Sequence, residues 1–425
     1  MTISREGRMD QDERNDRVIV VGAGAAGLMA SLWAARAGAR VVLLESTREG
    51  GKKILISGGG RCNILPERSD PARFVSASSP HTLRKILKSW PLAGQRRFFE
   101  EELRIPLELE PETGKLFPVS SRARDVRDAL IGEAKRRGVL IRFDSPVAFV
   151  GPLSGGDLWR VVLRSREALA ARAVVLATGG LSVPSTGSDG RGLQIASELG
   201  HRIAPTYPAL TPLLADPPRH AFLAGISLAA RLRWTGEAGT LETRGGFLFT
   251  HRGYSGPAVL DISHCAVSSA GDGALRVAWG GLAASEWEPL LRGGSGRVEA
   301  RLRKQLPERL AAALLQEADI PVDTDVSHLL RADRIRLLDH LAAYRLPVTG
   351  TEGYRKAEVT GGGVALEAVR PDTLESRTRP ALFFCGEMLD AFGPIGGHNF
   401  QWAWATGRAA GEGAARAANA KISRC

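Results

Sequence analysis

The chain has 425 residues, of which 44% are hydrophobic and 24% are charged, as in ordinary globular proteins with an apolar core. Its formal net charge is +11, but the basic residues are scattered without a lysine- and arginine-rich block, so we expect no nucleic-acid partner. No apolar run reaches the roughly 18 to 20 residues of a membrane-spanning helix, which argues against a membrane partner.

The N-terminus and the cysteines indicate where the protein works. The first 16 residues are polar and charged and lack a signal-peptide pattern, so we expect a disordered leader on a cytoplasmic protein. Translation could start at Met1 or at Met9. The four cysteines have neither C-x-x-C nor metal-ligand spacing, and we therefore expect reduced thiols and no metal site.

The segment from Arg17 to Glu45 has the pattern of a nucleotide-binding βαβ unit. A β-branched run from Arg17 to Val21 predicts a buried strand, and glycines follow it directly. Gly22 suits a tight turn, Gly24 allows the backbone to approach a pyrophosphate, and Gly27 allows a helix to pack closely on the strand. The pattern predicts a strand-to-helix turn that binds a dinucleotide.

The rest of this unit favours FAD or NAD over NADP. The predicted helix, from about Ala25 to Ala37, presents its N-terminal amides to the phosphates. A second apolar strand from Arg40 to Leu44 ends at Glu45, whose carboxylate can accept hydrogen bonds from both ribose hydroxyls but would repel a 2′-phosphate. The predicted dinucleotide contacts of this unit are Gly22, Gly24, Ala25, Ala26, Gly27, Glu45 and Ser46.

A glycine-rich loop, GGKKILISGGGRCN, follows from residue 50 to residue 63. Because each glycine is entropically costly to order, we predict that this loop approaches a flat ligand closely; the alternative is a solvated, flexible loop. The absence of a partner cysteine favours a packing role for Cys62 over a redox role. The predicted ligand contacts of the loop are Lys53, Ser57, Gly58, Gly59, Gly60, Arg61, Cys62 and Asn63.

These blocks, in this order, resemble the flavoproteins that include the aminoacetone oxidase family FAD-binding enzymes and the bile-acid reductase-like flavoproteins. The resemblance covers nearly the whole chain. It implies a Rossmann-like α/β fold of the two-dinucleotide-binding-domain type that binds FAD, with an inserted antiparallel, barrel-like β domain and a small helical subdomain. Further blocks that carry it are GKLFPVS, LATGGLSVPSTGSDGRG, FLFTHRGYSGPAVL, AEVTGGGV and FFCGEMLDAFGPIGGHNFQWAWATG.

The resemblance also implies roles for later residues. Val147 would meet the adenine through its backbone, and a second glycine turn would pass near the diphosphate. Glu387 would lie near the ribityl chain or the diphosphate, and a helix from Gly396 to about Gly411 would point its first amides at the flavin N1/C2=O edge. The implied contacts are Val147, Ala177, Thr178, Gly179, Gly180, Gly386, Glu387, Gly397, His398, Asn399, Phe400 and Gln401.

Two positions depart from the family pattern. Many relatives have tyrosine where this chain has His398, and often Thr-Asn where it has Leu65-Pro66. Both lie near the expected flavin, so the substrate preference of relatives need not apply to this chain.

The remaining patterns predict the domain organisation. We expect helices over 81–104 and 122–137, and a hairpin between 158–163 and 171–176. Short β-like runs with turns fill 203–277, and leucines spaced three to four apart predict helices over 298–346. The predicted parts are a leader (1–16), a first FAD-binding part (17–202), a β-rich insert (203–297), a helical subdomain (298–350), and a last part with the return strand of the insert and the rest of the FAD-binding domain (351–425).

We expect an FAD-dependent oxidoreductase that passes a hydride through flavin N5. One version is an NAD(P)H-dependent reductase of a small, enone-like molecule; another is an amine oxidase that uses O₂ and an aminoacetone-like substrate. A third alternative, a flavin-containing RNA-binding protein or redox sensor, is motivated by the basic charge. No second glycine fingerprint occurs, so NAD(P)H would dock transiently. Candidates for proton transfer are His251, Tyr254 and His398, and the oligomeric state stays open.

Overall fold

The computed structural model describes residues 17–153, 158–236, 239–268 and 273–422. Its strands are β1 (Val18–Val21), β2 (Val41–Leu44), β3 (Leu65–Pro66), β4 (Leu107–Glu110), β5 (Lys115–Pro118), β6 (Leu140–Arg142), β7 (Val147–Pro152), β8 (Trp159–Leu163), β9 (Ala168–Ala171), β10 (Ala173–Leu176), β11 (Ile203–Ala209), β12 (Leu213–Leu214), β13 (Ser227–Gly236), β14 (Gly239–Phe249), β15 (Gly253–Ser255), β16 (Ala274–Trp279), β17 (Tyr344–Arg345), β18 (Gly350–Thr351), β19 (Val359–Val364) and β20 (Leu382–Phe384). Its α-helices are α1 (Ala25–Arg36), α2 (Lys52–Ile56), α3 (Pro80–Lys88), α4 (Leu92–Arg97), α5 (Ala123–Arg136), α6 (Arg191–Glu198), α7 (Pro257–Ser268), α8 (Ala284–Trp287), α9 (Val298–Leu302), α10 (Glu308–Glu317), α11 (Arg331–Ala342) and α12 (His398–Ile422).

The chain divides into two compact units. The first unit comprises the residues up to 206 together with 359 onward, and the second comprises 207–358. Strands β11 and β19, on which the chain leaves and re-enters the first unit, pair with each other. The finer boundaries near 298 and 351 stay predictions.

The first unit is built on a five-stranded parallel sheet with the order β20-β10-β1-β2-β6. Its central strand β1 pairs on one side with β2 and on the other with β10, so that Val18 lies opposite Val41 and Ala173. All four residues of β1 are buried, because helices cover a parallel sheet on both faces. This arrangement confirms the predicted Rossmann-like α/β class and the predicted βαβ unit.

Helix α12 packs closely on α1 through glycines. A Cβ atom at Gly407 would lie 2.5 Å from the carbonyl oxygen of Ala26, and one at Gly411 would lie 2.3 Å from that of Ala30. We predicted that the helix ends near Gly411, but it continues to Ile422. The prediction was wrong because this glycine serves close packing between two helices, not helix termination.

Two antiparallel sheets complete the first unit, with the strand orders β7-β8-β9 and β3-β5-β4. The predicted hairpin between 158–163 and 171–176 is corrected here. Strand β8 pairs with β9, with Val161 opposite Leu169, whereas β10 belongs to the parallel sheet. The turn between β8 and β9 is tight, with Arg166 in the left-handed region. The apolar run from Ala168 to Leu176 therefore supplies two strands, β9 and β10, with different partners.

The second unit contains a seven-stranded antiparallel sheet with the order β17-β16-β13-β14-β15-β12-β18. Helices α8 to α11 share one apolar core with this sheet, in which Phe247, Trp279 and Trp287 are among the largest fully buried side chains. The antiparallel strands in the middle of the chain are thus confirmed. No helix of the described ranges is long and apolar enough to cross a bilayer.

Helix α7 was not predicted, because the prolines and glycines of its region suggested strands and turns. Pro257 stands at the first helical position, where proline is favoured. The preceding Gly256 has φ of +96°, and a Cβ there would lie 2.6 Å from the carbonyl oxygen of Gly246 in β14. The helix therefore starts directly against the sheet.

The close contact between α1 and α12 predicts that alanine destabilises the fold at Gly411, whereas alanine at Gly132, outside that contact, stabilises it. Gly411→Ala should lower the free energy of unfolding by about 1–3 kcal/mol, because its methyl group would overlap the backbone of α1. Gly132→Ala, in α5, should raise it by about 0.5–1 kcal/mol, since its Cβ would meet only Arg136 Nη1 at 3.6 Å. Thermal unfolding of both variants measures the effect; equal shifts of the midpoint would contradict the close packing.

Candidate functional site

The carboxyl ends of β1 and β10 place two glycine turns side by side in the first unit. Gly22 follows β1 with φ of +100°, and its amide donates to Leu44 O at 2.7 Å. A Cβ at Gly22 would lie 2.6 Å from the carbonyl oxygen of Ala177, which begins the second glycine turn. Only glycine allows the two turns to approach this closely.

Gly24 and Gly27 differ in what surrounds them. A Cβ at Gly27 would lie 1.8 Å from Gly22 O, so the packing of α1 on its own turn excludes a side chain there. A Cβ at Gly24 would meet no atom within 4 Å. Gly24 thus faces open space at the N-terminus of α1, where backbone amides without helical partners favour an anion.

Glu45 is fixed by the first glycine turn. Its side chain is buried, and Oε2 accepts a hydrogen bond from the backbone amide of Ala23 at 2.8 Å. Oε1 accepts from both the amide and the hydroxyl of Thr47 at 2.9 Å. The amide of Ser145, two residues before Val147, donates to Glu45 O at 2.7 Å. The start of β7 therefore lies beside the end of β2, where the resemblance places the adenine.

A polar cluster joins four segments of the first unit. Lys53 Nζ lies 2.5 Å from Glu387 Oε2, and Ser182 Oγ donates to Glu387 Oε1 at 2.5 Å. The amide of Thr360 donates to the same oxygen at 3.1 Å. A Cβ at Gly180 would lie 2.3 Å from Thr360 Oγ1. Lys53 and Glu387 were predicted; Ser182 and Thr360 were missed, because the quoted blocks that contain them gave no reason to assign these side chains a partner.

Helix α12 holds two of the predicted segments in place. Gly386 donates its amide hydrogen to Thr406 Oγ1 at 3.0 Å and accepts a hydrogen bond from Trp402 Nε1 at 3.1 Å. Trp404 Nε1 donates to Ile64 O at 3.1 Å, just beyond the glycine-rich loop. Sequence reasoning missed these three side chains; the available signal was that buried tryptophan and threonine side chains need a hydrogen-bond partner.

Gly386 itself touches the first turn. Its φ is +76°, and a Cβ there would lie 2.7 Å from Ala26 Cβ. The turn after β20 is thereby brought against the start of α1. Three of the glycine turns predicted from the sequence, at Gly22, Ala177 and Gly386, are therefore neighbours in the first unit.

The start of α12 lies against the end of the glycine-rich loop. Gly397 has φ of +94°, and a Cβ there would lie 2.9 Å from Asn63 Oδ1. Asn63 Oδ1 and Gln401 Oε1 are buried and have no hydrogen-bond partner within the described chain. The side chain of Asn399, by contrast, binds both backbone groups of Gly393 at 2.9 and 3.0 Å. Because buried polar atoms are normally hydrogen-bonded, the two unpartnered oxygens indicate a ligand at this place.

The other loop residues have defined surroundings. Gly58, Gly59 and Gly60 all have positive φ, which explains the run of glycines. Arg61 lies over the ring of Phe117 at 4.0 Å and pairs with Glu110 at 3.1 Å. Ser57 Oγ donates to Ile54 O at 2.8 Å.

Cys62 and Phe400 pack within the first unit. Cys62 is fully buried, and burial raises the pKa of its thiol to about 12. The ring of Phe400 stacks on Trp404 with 5.3 Å between centroids. Both side chains have packing neighbours within the protein.

His398 is the candidate for proton transfer that lies in the first unit. Its ring is 5% exposed and packs edge-on against Phe74 at 6.0 Å. Burial, with the nearby charge of Arg73, lowers the pKa of His398 to about 4 against the weaker opposing effect of neighbouring backbone groups. The imidazole is therefore neutral near pH 7.

The other two candidates belong to the second unit. His251 is exposed on the turn between β14 and β15. Tyr254 is fully buried, and its hydroxyl lies 2.8 Å from His220 Nδ1. His220 Nε2 lies 3.0 Å from Glu317 Oε1, and Tyr344 donates to the other oxygen of Glu317 at 2.6 Å. Burial raises the pKa of Tyr254 far above its ordinary range, so this tyrosine is a neutral member of a core network.

The residues of the first unit fit an elongated dinucleotide. The open space above Gly24 matches a diphosphate, and the fixed carboxylate of Glu45 matches a ribose. The unpartnered oxygens of Asn63 and Gln401 match the polar edge of a ring. Among the described residues, no group of histidine, cysteine and acidic side chains is arranged to bind a metal ion.

Comparison with known proteins agrees with this fit. The family model described as "HI0933-like protein Rossmann domain" matches residues 16–413. A ribosomal RNA dihydrouridine synthase from Escherichia coli (strain K12) is 35% identical over 406 residues, which cover 93% of this chain and 96% of that protein. A 3-dehydro-bile acid delta(4,6)-reductase from Clostridium scindens is 32% identical over 412 residues, covering 94% and 99%.

A solved structure supports the fold alone. The open conformation of a flavocytochrome c3 fumarate reductase has a TM-score of 0.51 and 18% identity, and the match covers 96% of this chain and 81% of that one. The similarity extends across both units of the chain.

The contrast between Gly24 and Gly27 yields a test of the cofactor position. Gly24→Val should leave the fold intact, because the residue has φ of −74° and open space around it. The added side chain would instead occupy the position of the pyrophosphate, and a clash of about 2 kcal/mol lowers affinity more than about tenfold.

The measurement is the ratio of flavin to protein absorbance, with the thermal midpoint of the apoprotein as control. Gly27→Val should lower the thermal midpoint itself. A Gly24→Val protein with full flavin content would contradict the proposed position.

The buried histidine gives a pH prediction. Because the folded pKa of His398, about 4, lies below the ordinary 6.5, this group does not affect stability above pH 6.5 and destabilises the fold as pH falls toward 4. The loss should reach about 3 kcal/mol near pH 4. His398→Tyr should remove this part of the acid sensitivity, measured as the midpoint difference between neutral and acidic pH. The exposed His251→Tyr variant is the control, and parallel profiles for all three proteins would contradict the assignment.

Proposed function

We propose a reductase function on the premise that the chain belongs to the HI0933-like family of Rossmann-domain proteins. The chain is an FAD-dependent oxidoreductase. Beyond this, we propose that NAD(P)H donates the electrons and that the acceptor is a carbon–carbon double bond conjugated with a carbonyl group. The observation that carries the cofactor assignment is the open space at Gly24 beside the fixed carboxylate of Glu45.

The reaction class is supported by the names of two relatives. Dihydrouridine is uridine in which the carbon–carbon double bond next to a ring carbonyl has been reduced, and a delta(4,6)-reductase is named for double bonds of a bile acid. Both substrates share an electron-poor double bond that accepts a hydride at one carbon and a proton at the other. An amine oxidase would need the opposite polarity, with the substrate as electron donor.

Residues of the first unit would hold the cofactor in three places. The turn from Gly22 to Gly27 would bind the pyrophosphate, and Glu45 would bind the ribose. Asn63, Gln401 and the first amides of α12 would face the polar edge of the flavin. When bound, FAD supplies hydride transfer through its N5 atom.

The protein supplies positioning and electrostatics. The N-terminal amides of α12 favour negative charge near them, because the helix dipole is positive at that end. His398 adds no charge there at neutral pH, since burial keeps it unprotonated. Trp402 and Thr406 fix the Gly386 turn, and Lys53 and Glu387 neutralise each other beside it.

Two classes of substrate remain as candidates. A small enone is supported by the bile-acid reductase relative, and a uracil base of an RNA is supported by the ribosomal RNA dihydrouridine synthases.

Anaerobic stopped-flow mixing tests the proposal. NADPH or NADH should bleach the flavin absorbance, and either a steroid dienone or a uridine-containing RNA should restore it without oxygen. Bleaching by aminoacetone and recovery only with O₂ would identify an amine oxidase and contradict the reductase. Gly24→Val is the control without flavin.

A further inference from the structure

Helix α3 carries a stripe of exposed cations. His81, Arg84, Lys85 and Lys88 are exposed and follow the i, i+3, i+4, i+7 spacing of one helical face. The opposite face buries Leu83, Ile86 and Leu87. The helix has no acidic residue, so its outer surface has charge of a single sign.

The cations of this stripe are not engaged within the protein. In the described ranges, Arg84, Lys85 and Lys88 form no ion pair or side-chain hydrogen bond. Helix α5 of the same unit shows the ordinary alternative: Arg136 and Arg137 both pair with Glu133 at 2.5 and 2.7 Å. A solvated helix face usually mixes both signs, as α5 does, whereas the α3 stripe does not.

The stripe continues onto the segment before the helix. Arg68 and Arg73 are exposed, and α3 packs against the turn 71–73 and against α12. The segment also carries two exposed acids, Glu67 and Asp70, of which Asp70 accepts the amide hydrogen of Ala72 at 2.9 Å, so the cations of α3 and the segment together leave this surface net positive. The basic surface is therefore composed of Arg68, Arg73, His81, Arg84, Lys85 and Lys88.

This surface borders the candidate flavin site. The charge of Arg73 acts on His398, the first residue of α12, and Phe74 contacts both His398 and Trp402. A molecule held by the basic surface is therefore next to the helix start that would face the flavin.

Helix stability explains only part of the pattern. Lysines in a last helical turn interact favourably with the helix dipole, which accounts for Lys85 and Lys88. It does not account for Arg84, or for Arg68 and Arg73 outside the helix. From His81 to Lys88 the stripe spans about 10 Å, which is long enough to contact consecutive phosphates of one nucleic-acid strand.

We propose that the basic surface of α3 and the 68–73 segment binds the phosphodiester backbone of an RNA strand and so delivers a base to the flavin end of the first unit. This inference rests on the proposed function for its substrate, and it names a surface that the reductase assignment alone does not require. Phosphate groups are the complementary partner because unpaired arginine and lysine side chains release counterions when they contact them.

The test compares two triple variants that remove the same charge. One is Arg84→Gln, Lys85→Gln, Lys88→Gln, and its matched control is Lys135→Gln, Arg136→Gln, Arg137→Gln at the C-terminal end of α5. The probe is a fluorescein-labelled oligouridylate, whose binding is followed by anisotropy over a salt series from about 0.05 to 0.2 M.

The α3 variant should bind at least about tenfold more weakly at 0.15 M salt, and its log–log salt slope should fall by about 2 for three lost phosphate contacts. The α5 control should keep the wild-type slope. Equal losses in both variants, or no loss in either, would overturn the proposal. Vesicles containing phosphatidylglycerol form a second arm, and α3-dependent binding to them as tight as to RNA would also overturn it.

The wild-type protein and the two triple variants also test the RNA surface and the reductase assignment independently of each other. Thermal midpoints show that both variants fold, and NADPH should bleach the flavin of both at the wild-type rate. If wild-type protein bound RNA through α3 but NADPH failed to bleach it, the reductase assignment would fail while the RNA surface stood.

Discussion

The contact between helices α1 and α12 is the constraint on which the rest of the first unit depends. Glycine at 407 and 411 lets the two helix backbones approach to a distance that no side chain would allow. Only at that distance can Trp402 and Thr406 bind the Gly386 turn, and Trp404 the backbone beside the glycine-rich loop. The last helix of the chain thus fixes segments that lie hundreds of residues apart in sequence.

The site combines backbone segments that α12 fixes with buried oxygens that have no hydrogen-bond partner within the described chain. Near the start of α12, the half-buried side chain of Asn399 has partners on Gly393. Asn63 and Gln401 do not, although leaving a buried acceptor unpaired costs about 1–3 kcal/mol. We expect a ligand to supply the missing hydrogen bonds to these two oxygens.

Much of the first unit could be predicted from local patterns. The strand, the glycines and Glu45 lie within one βαβ unit, and each has a conformational reason to be where it is. Ser182, Thr360, Trp402 and Thr406 could not be found in this way, because their hydrogen bonds depend on how separate strands, turns and helices meet in the fold. Helix α7 was missed for a different reason: Pro257 and the glycines before it resemble turn signals, and only contact with β14 shows that proline begins a helix.

The state of the cysteines bears on how the protein tolerates its own chemistry. Burial raises the pKa of Cys62 to about 12 and that of Cys265 to about 11, and it raises the pKa of Cys385 further still. Thiolates, not thiols, react with hydrogen peroxide. The three thiols are therefore protonated at neutral pH, and we expect peroxide from any reaction of a reduced flavin with dioxygen to oxidise them slowly.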